Sequence, residues 1–264
     1  MSVRAGYNST RRNRKIGTSA QGHGQNNELV IPSLLHGDRL WAATLKSFKK
    51  VTRSVSGREL IFIIEEEKFG RVHACSVADI CNVLKHVPFD DWHQLTTFVF
   101  RQPTRKQKII SPAWGRLFYS ADLGVPNRKS LTFGPTLMLE STQAVETINW
   151  GPRLSVDALQ ELNRLRDDGH EIIGDGRRYL IHTTTASVRS TQLYRTLLHE
   201  IGHWVDFLNK VVRAEGDYDE LRRRYFARPR GEREVFAHRY AEETGSRLIK
   251  SGIFPFDYIS DSDE

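Results

Sequence analysis

The sequence predicts an α+β fold with a small mixed or antiparallel sheet, and three observations point there. Short strand-like runs crowd the first two thirds of the chain. Helical periodicity dominates the last third. A hairpin signal lies between them, and strands and helices do not alternate as a parallel α/β sheet would require. Residues 60–65 and 71–75 read as strands joined by a turn at Phe69-Gly70. Residues 76–85 read as a helix capped by Ser76, with Val77, Ile80, Val83 and Leu84 on one face. Residues 96–101 (TTFVFR), 116–120 (RLFYS) and 136–140 (TLMLE) are strand-like, and 155–166 is an amphipathic helix. Gly174-Asp175-Gly176 marks a turn between strands at 171–173 and 179–182. Helices follow at 188–211, 218–225 and 232–250.

The chain has 264 residues, 39% of them hydrophobic and 27% charged, the profile of a globular protein. Its longest aliphatic and aromatic run, 60–64, is far short of the roughly 20 residues a membrane helix needs, so no membrane association is expected. The polar, basic N-terminus does not resemble a secretory signal, which leaves a cytoplasmic protein or one exported without a signal peptide. Cys75 and Cys81 are expected as free thiols. The net charge of +7 is mostly local: residues 1–27 carry Arg4, Arg11, Arg12, Arg14 and Lys15 and no acid, leaving +2 for the remainder. This segment is expected to be a disordered basic tail, able to contact an acidic partner or nucleic acid weakly. Residues 28–256 are expected to form a single domain, with its core at 131–250 and a helper region at 28–130. Residues 257–264 are expected to be a frayed acidic tail.

The chemistry lies in His199-Glu200-Ile201-Gly202-His203, an HExxH within an apolar helical pattern. Residues four apart project from one face of a helix, so both imidazoles can reach one Zn²⁺. Glu200 sits too close in sequence to ligate the same ion comfortably, and instead suits the role of general base toward a metal-activated water. A catalytic zinc needs a third protein ligand and an open fourth position. Downstream, Glu234, Ala237, His238 and Ala241 share a helical face, and the two alanines let that helix approach closely. Glu234 can then reach the metal; His238 and Asp206 are rival ligands. The HExxHxxGxxH pattern fails here, because Asp206 and Asn209 replace its Gly and third His.

HEIGHWVD (199–206) and EVFAHRY (234–240) resemble the catalytic core of the gluzincin metallopeptidases, and of these the lethal-factor type of toxin peptidase. The resemblance covers about 50 residues, 195–245. It implies a zincin-like domain, one zinc held by His199, His203 and Glu234, Glu200 as general base, and a protein or peptide substrate. It also implies Asp206 as a carboxylate steadying the zinc-site imidazoles. One departure stands out: His238 takes the place of a family glutamate.

Tyr240, with Tyr225 as its rival, is the expected oxyanion donor. Residues 136–140 are the expected sheet edge for an extended peptide. Arg222, Arg223, Arg224, Arg228, Arg230 and Arg233 cluster between the two zinc helices as a solvated face or a basic rim. The remaining histidines, such as His73, His170 and His182, lack ligand spacing. The resulting expectation is a zinc metallopeptidase. The alternative is a zincin-core regulatory or nucleic-acid-associated binding protein with little general proteolysis.

Overall fold

The computed structural model describes residues 45, 47–104, 108, 113–124 and 130–262. The expected tail at 1–27 and the start of the helper region lie outside the described residues. Residues from Leu45 onward belong to one compact unit of mixed α and β structure.

β1 (Phe48–Val55) and β2 (Arg58–Glu65) form an antiparallel hairpin, in register from Phe48 opposite Glu65 to Val55 opposite Arg58. Ser56 and Gly57 both have positive φ, 51° and 79°, the backbone that matches a tight hairpin to the strand twist. The sequence reading missed β1. Its burial alternates only from Lys50 onward, and it presents Lys49, Lys50, Thr52 and Ser54 to solvent, as an edge strand does. β2 does not pair with β3 (Arg71–Val72); β3 meets β7 (Thr142–Gln143) instead.

Three further strands complete the main sheet: β4 (Thr97–Arg101), β5 (Gly115–Gly124) and β6 (Ser130–Glu140) join β1 and β2 in the order β1-β2-β4-β6-β5. β4 is parallel to β2 and to β6, whereas β5 is antiparallel to β6, so the sheet is mixed. Side chains alternate between its faces. Phe62, Phe98 and Leu137 lie in register on the face carrying the main core, and Ile63, Val99 and Met138 lie on the other. The expected edge at 136–140 is corrected here, because β6 is interior and β5 takes the edge. Those residues are apolar on both faces, the signature of a strand paired on both sides.

α1 (Val77–His86) starts at Ser76, which exchanges hydrogen bonds with Asp79 in a capping box. A short α2 (Phe89–Trp92) follows. A second sheet, β8-β10-β9 (Val145–Trp150, Tyr179–Thr184, Glu171–Gly174), is antiparallel throughout, and Asp175 accepts the amides of Arg177 and Arg178 at its hairpin turn. α3 (Val156–Asp167) is tied to the next helical segment by Arg195, which pairs with Glu161 at 2.9 Å and Asp168 at 2.7 Å.

The helix expected at 188–211 is an interrupted rod. α4 (Thr185–Ser190) leads into a π-helical segment (Thr191–Thr196), then α5 (Leu197–Phe207), then a second π-segment (Leu208–Val212). α6 (Tyr218–Ala227) and α7 (Arg230–Lys250) follow, with Pro229 at the N-cap of α7. The apolar side of α5, Leu197, Leu198, Ile201, Trp204 and Val205, joins Phe62, Phe98 and Leu137 in the main core. Among the described residues no helix is long and apolar enough to cross a membrane. Cys75 and Cys81 are buried and free.

The expected fraying after residue 256 is corrected for the described part of that segment. Arg189 donates to the carbonyls of Phe256 (3.0 Å) and Asp257 (3.1 Å) while pairing with buried Asp79 at 2.7 Å. The amide of Ala78 donates to Asp261, and that of Ile259 to Asp79. An acidic composition predicts fraying only when no donors face it, and α1 with Arg189 supplies them.

Candidate metal centre

α5 and α7 cross at backbone contact. A Cβ placed on Gly202 would lie 3.0 Å from the Ala237 Cα and 3.0 Å from the Tyr240 Cβ, so only glycine lets the helices close. The crossing brings the faces of both helices together. Nε2 of His199 lies 3.3 Å, and Nε2 of His203 3.5 Å, from the same oxygen, Oε2 of Glu234. Both distances exceed the roughly 2.7–2.9 Å of a charge-assisted hydrogen bond. They match the edge of a tetrahedron, about 3.3–3.4 Å, for atoms 2.0–2.1 Å from a central zinc. The other Glu234 oxygen accepts from Nε of Arg230 at 3.0 Å, which leaves Oε2 turned toward the imidazoles. The facing His199 and His203 imidazoles, and then Arg230, hold the Glu234 carboxyl far below its ordinary range against the opposing effect of burial.

His238, one turn beyond Glu234, stacks at a tilt on His199 with ring centroids 4.4 Å apart. One ligand atom each from His199, Glu234 and His238 lie within 4.8 Å of one another. His203 touches that group through Glu234. Burial, then neighbouring His199, push the His238 imidazole down to about 4, so it is neutral near pH 7 with a free lone pair.

Glu200, next to His199 on α5, reaches β5 with one carboxylate oxygen. Its Oε2 accepts the backbone N–H of Leu117 on β5 at 2.7 Å. Burial pushes this carboxyl up, against the opposing influence of His199, His203 and the Leu117 amide. No sequence pattern marks Leu117, because a main-chain donor carries no side-chain signature. Arg230 was visible only as one arginine of a cluster; its spacing of four from Glu234 was the available signal.

Two expected roles are corrected by geometry. Tyr240 does not face the imidazoles with its hydroxyl, which donates to Asp91 of α2 at 2.7 Å. Asp206, 1% exposed, binds Lys210 and Nη1 of Arg228 (2.8 Å) and not the imidazoles of His199 and His203, whose Nδ1 atoms are buried without a hydrogen-bond partner among the described residues. Tyr225 is also committed elsewhere, to the hydroxyl of Tyr119 (3.2 Å) and the carbonyl of His203 (3.5 Å). The arginine cluster is largely spent on internal contacts. Arg224 pairs with Glu220, Arg228 with Asp206 and Glu232, and Arg230 with Glu234, while Arg222 and Arg233 lie over the Phe226 ring. His73, His170 and His182 hydrogen-bond to Glu65, to Ser187 and Thr191, and to Thr147 respectively.

No family model, curated protein or solved structure matches this chain.

Proposed function

We propose that this chain is a zinc-dependent metallopeptidase with a zincin-like domain, binding one zinc through His199, His203 and Glu234. The observation that carries this reading is the approach of two Nε2 atoms to one carboxylate oxygen, at 3.3 and 3.5 Å, close to the edge of a zinc tetrahedron. When bound, zinc supplies a Lewis acid and a water whose pKa lies near neutrality. The chain supplies the rest. Glu200, oriented by the Leu117 amide, would take up a proton at its carboxylate and return it to the leaving amine. The rise in its carboxyl pKa on burial suits a group that must both accept and return a proton. Arg230 holds Glu234 by its second oxygen. β5, at the sheet edge beside α5, takes the role expected of residues 136–140 toward an extended peptide, outside the Leu117 amide that Glu200 already occupies.

The test is metal analysis together with cleavage of a peptide library. Wild-type protein should carry about one zinc and cleave peptides. Glu200→Gln should keep the zinc and lose activity by about 10²–10⁴-fold. Full activity in Glu200→Gln, or protein that binds no zinc, overturns the reading.

A further inference from the structure

The crossing of α5 and α7 collects four potential metal donors. Each helix contributes two residues four apart, His199 with His203 and Glu234 with His238, and spacing of four sets both members of a pair on one face. His238 touches the group from the side of His199. His238 is half-buried and neither ring nitrogen has a hydrogen-bond partner among the described residues, whereas the buried His170 is hydrogen-bonded at both nitrogens. His238 also lines a groove of about 560 Å³ together with Arg164, Asp168, Ser190, Tyr194 and Arg195. It therefore stands between the metal ligands and an open space large enough to receive its ring.

We propose that His238 is a fourth protein ligand that competes with water for the metal. Turned inward, it completes a three-histidine, one-carboxylate shell and closes the position that a catalytic site keeps open. Turned into the groove, it frees that position. Its ligand atom lies within 4.8 Å of those of His199 and Glu234, so an inward turn of the ring carries it toward the tetrahedral edge of about 3.3–3.4 Å. The inference rests on the metallopeptidase reading for the identity of the metal, and it adds to that reading a latch within the site itself.

The test uses the full chain loaded with Co²⁺ and followed by its visible absorption, without any peptide. Wild type, His238→Ala and the bulkier His238→Gln are each titrated with acetohydroxamate, and their zinc affinities are measured by competition with a chelator. Far-ultraviolet circular dichroism identifies which variants fold. Each folded His238 variant should bind hydroxamate at least about tenfold more tightly than wild type, because its fourth position is free, and should hold zinc about 10- to 100-fold more weakly. Cobalt spectra, hydroxamate affinity and zinc affinity all unchanged in a folded variant would overturn the latch and leave the peptidase reading intact. A wild-type chain that takes up no cobalt or zinc would overturn both. Loss of cleavage in Glu200→Gln bears on the peptidase alone.

Discussion

At Asp206 two opposing effects on one carboxyl can be weighed. Burial alone would raise its pKa, but hydrogen bonds from Lys210 and Arg228 outweigh burial and lower it. The folded value thus lies below the ordinary 3.8, and the unfolded chain binds the proton more readily. The resulting stabilisation is complete above the unfolded value and is lost as pH falls through the folded one. Asp206→Asn should cost about 1–3 kcal/mol at pH 7, and its melting temperature should converge on that of wild type as the pH drops below about 4. A difference that stays constant from pH 7 to pH 2 would show that the charge is not what matters. The two pairs of candidate metal donors, His199 with His203 and Glu234 with His238, were legible as helical pairs because a spacing of four is local. Lys210 carries the same four-residue signal toward Asp206, but the other partners of Asp206 and Tyr240 do not, since Arg228 lies on a later loop and Asp91 on a distant helix. A one-dimensional pattern shows that a residue is polar and buried; it does not show which donor will meet it.

Helices and strands divide in the same way. Ser76 with Asp79, and Ser155 with the amide of Ala158, were readable as helix starts because a cap is a short-range bond. The strand at 136–140 was readable as a strand, but its place inside the sheet was not, because strand order depends on contacts far apart in sequence. The crossing of α5 and α7 makes a prediction at this scale. Gly202→Ala puts a methyl group 3.0 Å from the backbone of Ala237, so the helices must separate. We expect a loss of about 1–3 kcal/mol in denaturant unfolding, together with weaker zinc binding, since the same crossing aligns Glu234 with the histidines. Unchanged unfolding and unchanged metal affinity would show that the helices meet less closely than described. The two π-segments bracket α5 and left no mark on the sequence, because a widened turn alters backbone hydrogen bonding without altering the apolar stripe.

For the molecule as a whole, the fold class was legible from composition and the order of elements, and the metal-site motif from about 50 residues. The first sheet stood outside that motif, and its topology emerged only in three dimensions. Arg189 and Asp79 link distant parts of the chain: they join α1 to α4 and hold the segment at 256–261. Arg189→Ala leaves a fully buried carboxylate short of its cation, so we expect a loss of about 3–5 kcal/mol and faster proteolysis after residue 255. Proteolysis confined to that segment without a fall in stability would mean that Arg189 serves the tail alone.

The bond between Leu117 and Glu200 has a further consequence, for handling the protein. β5 is an outer strand, and an unsatisfied amide on such a strand is a template on which another copy can add and self-associate. Glu200 now fills that amide and sets a negative charge beside it. Truncating the side chain to alanine would strip away both protections and favour clumping at high concentration, while glutamine keeps an acceptor in place. An inert form intended for crystallisation is therefore better made with glutamine.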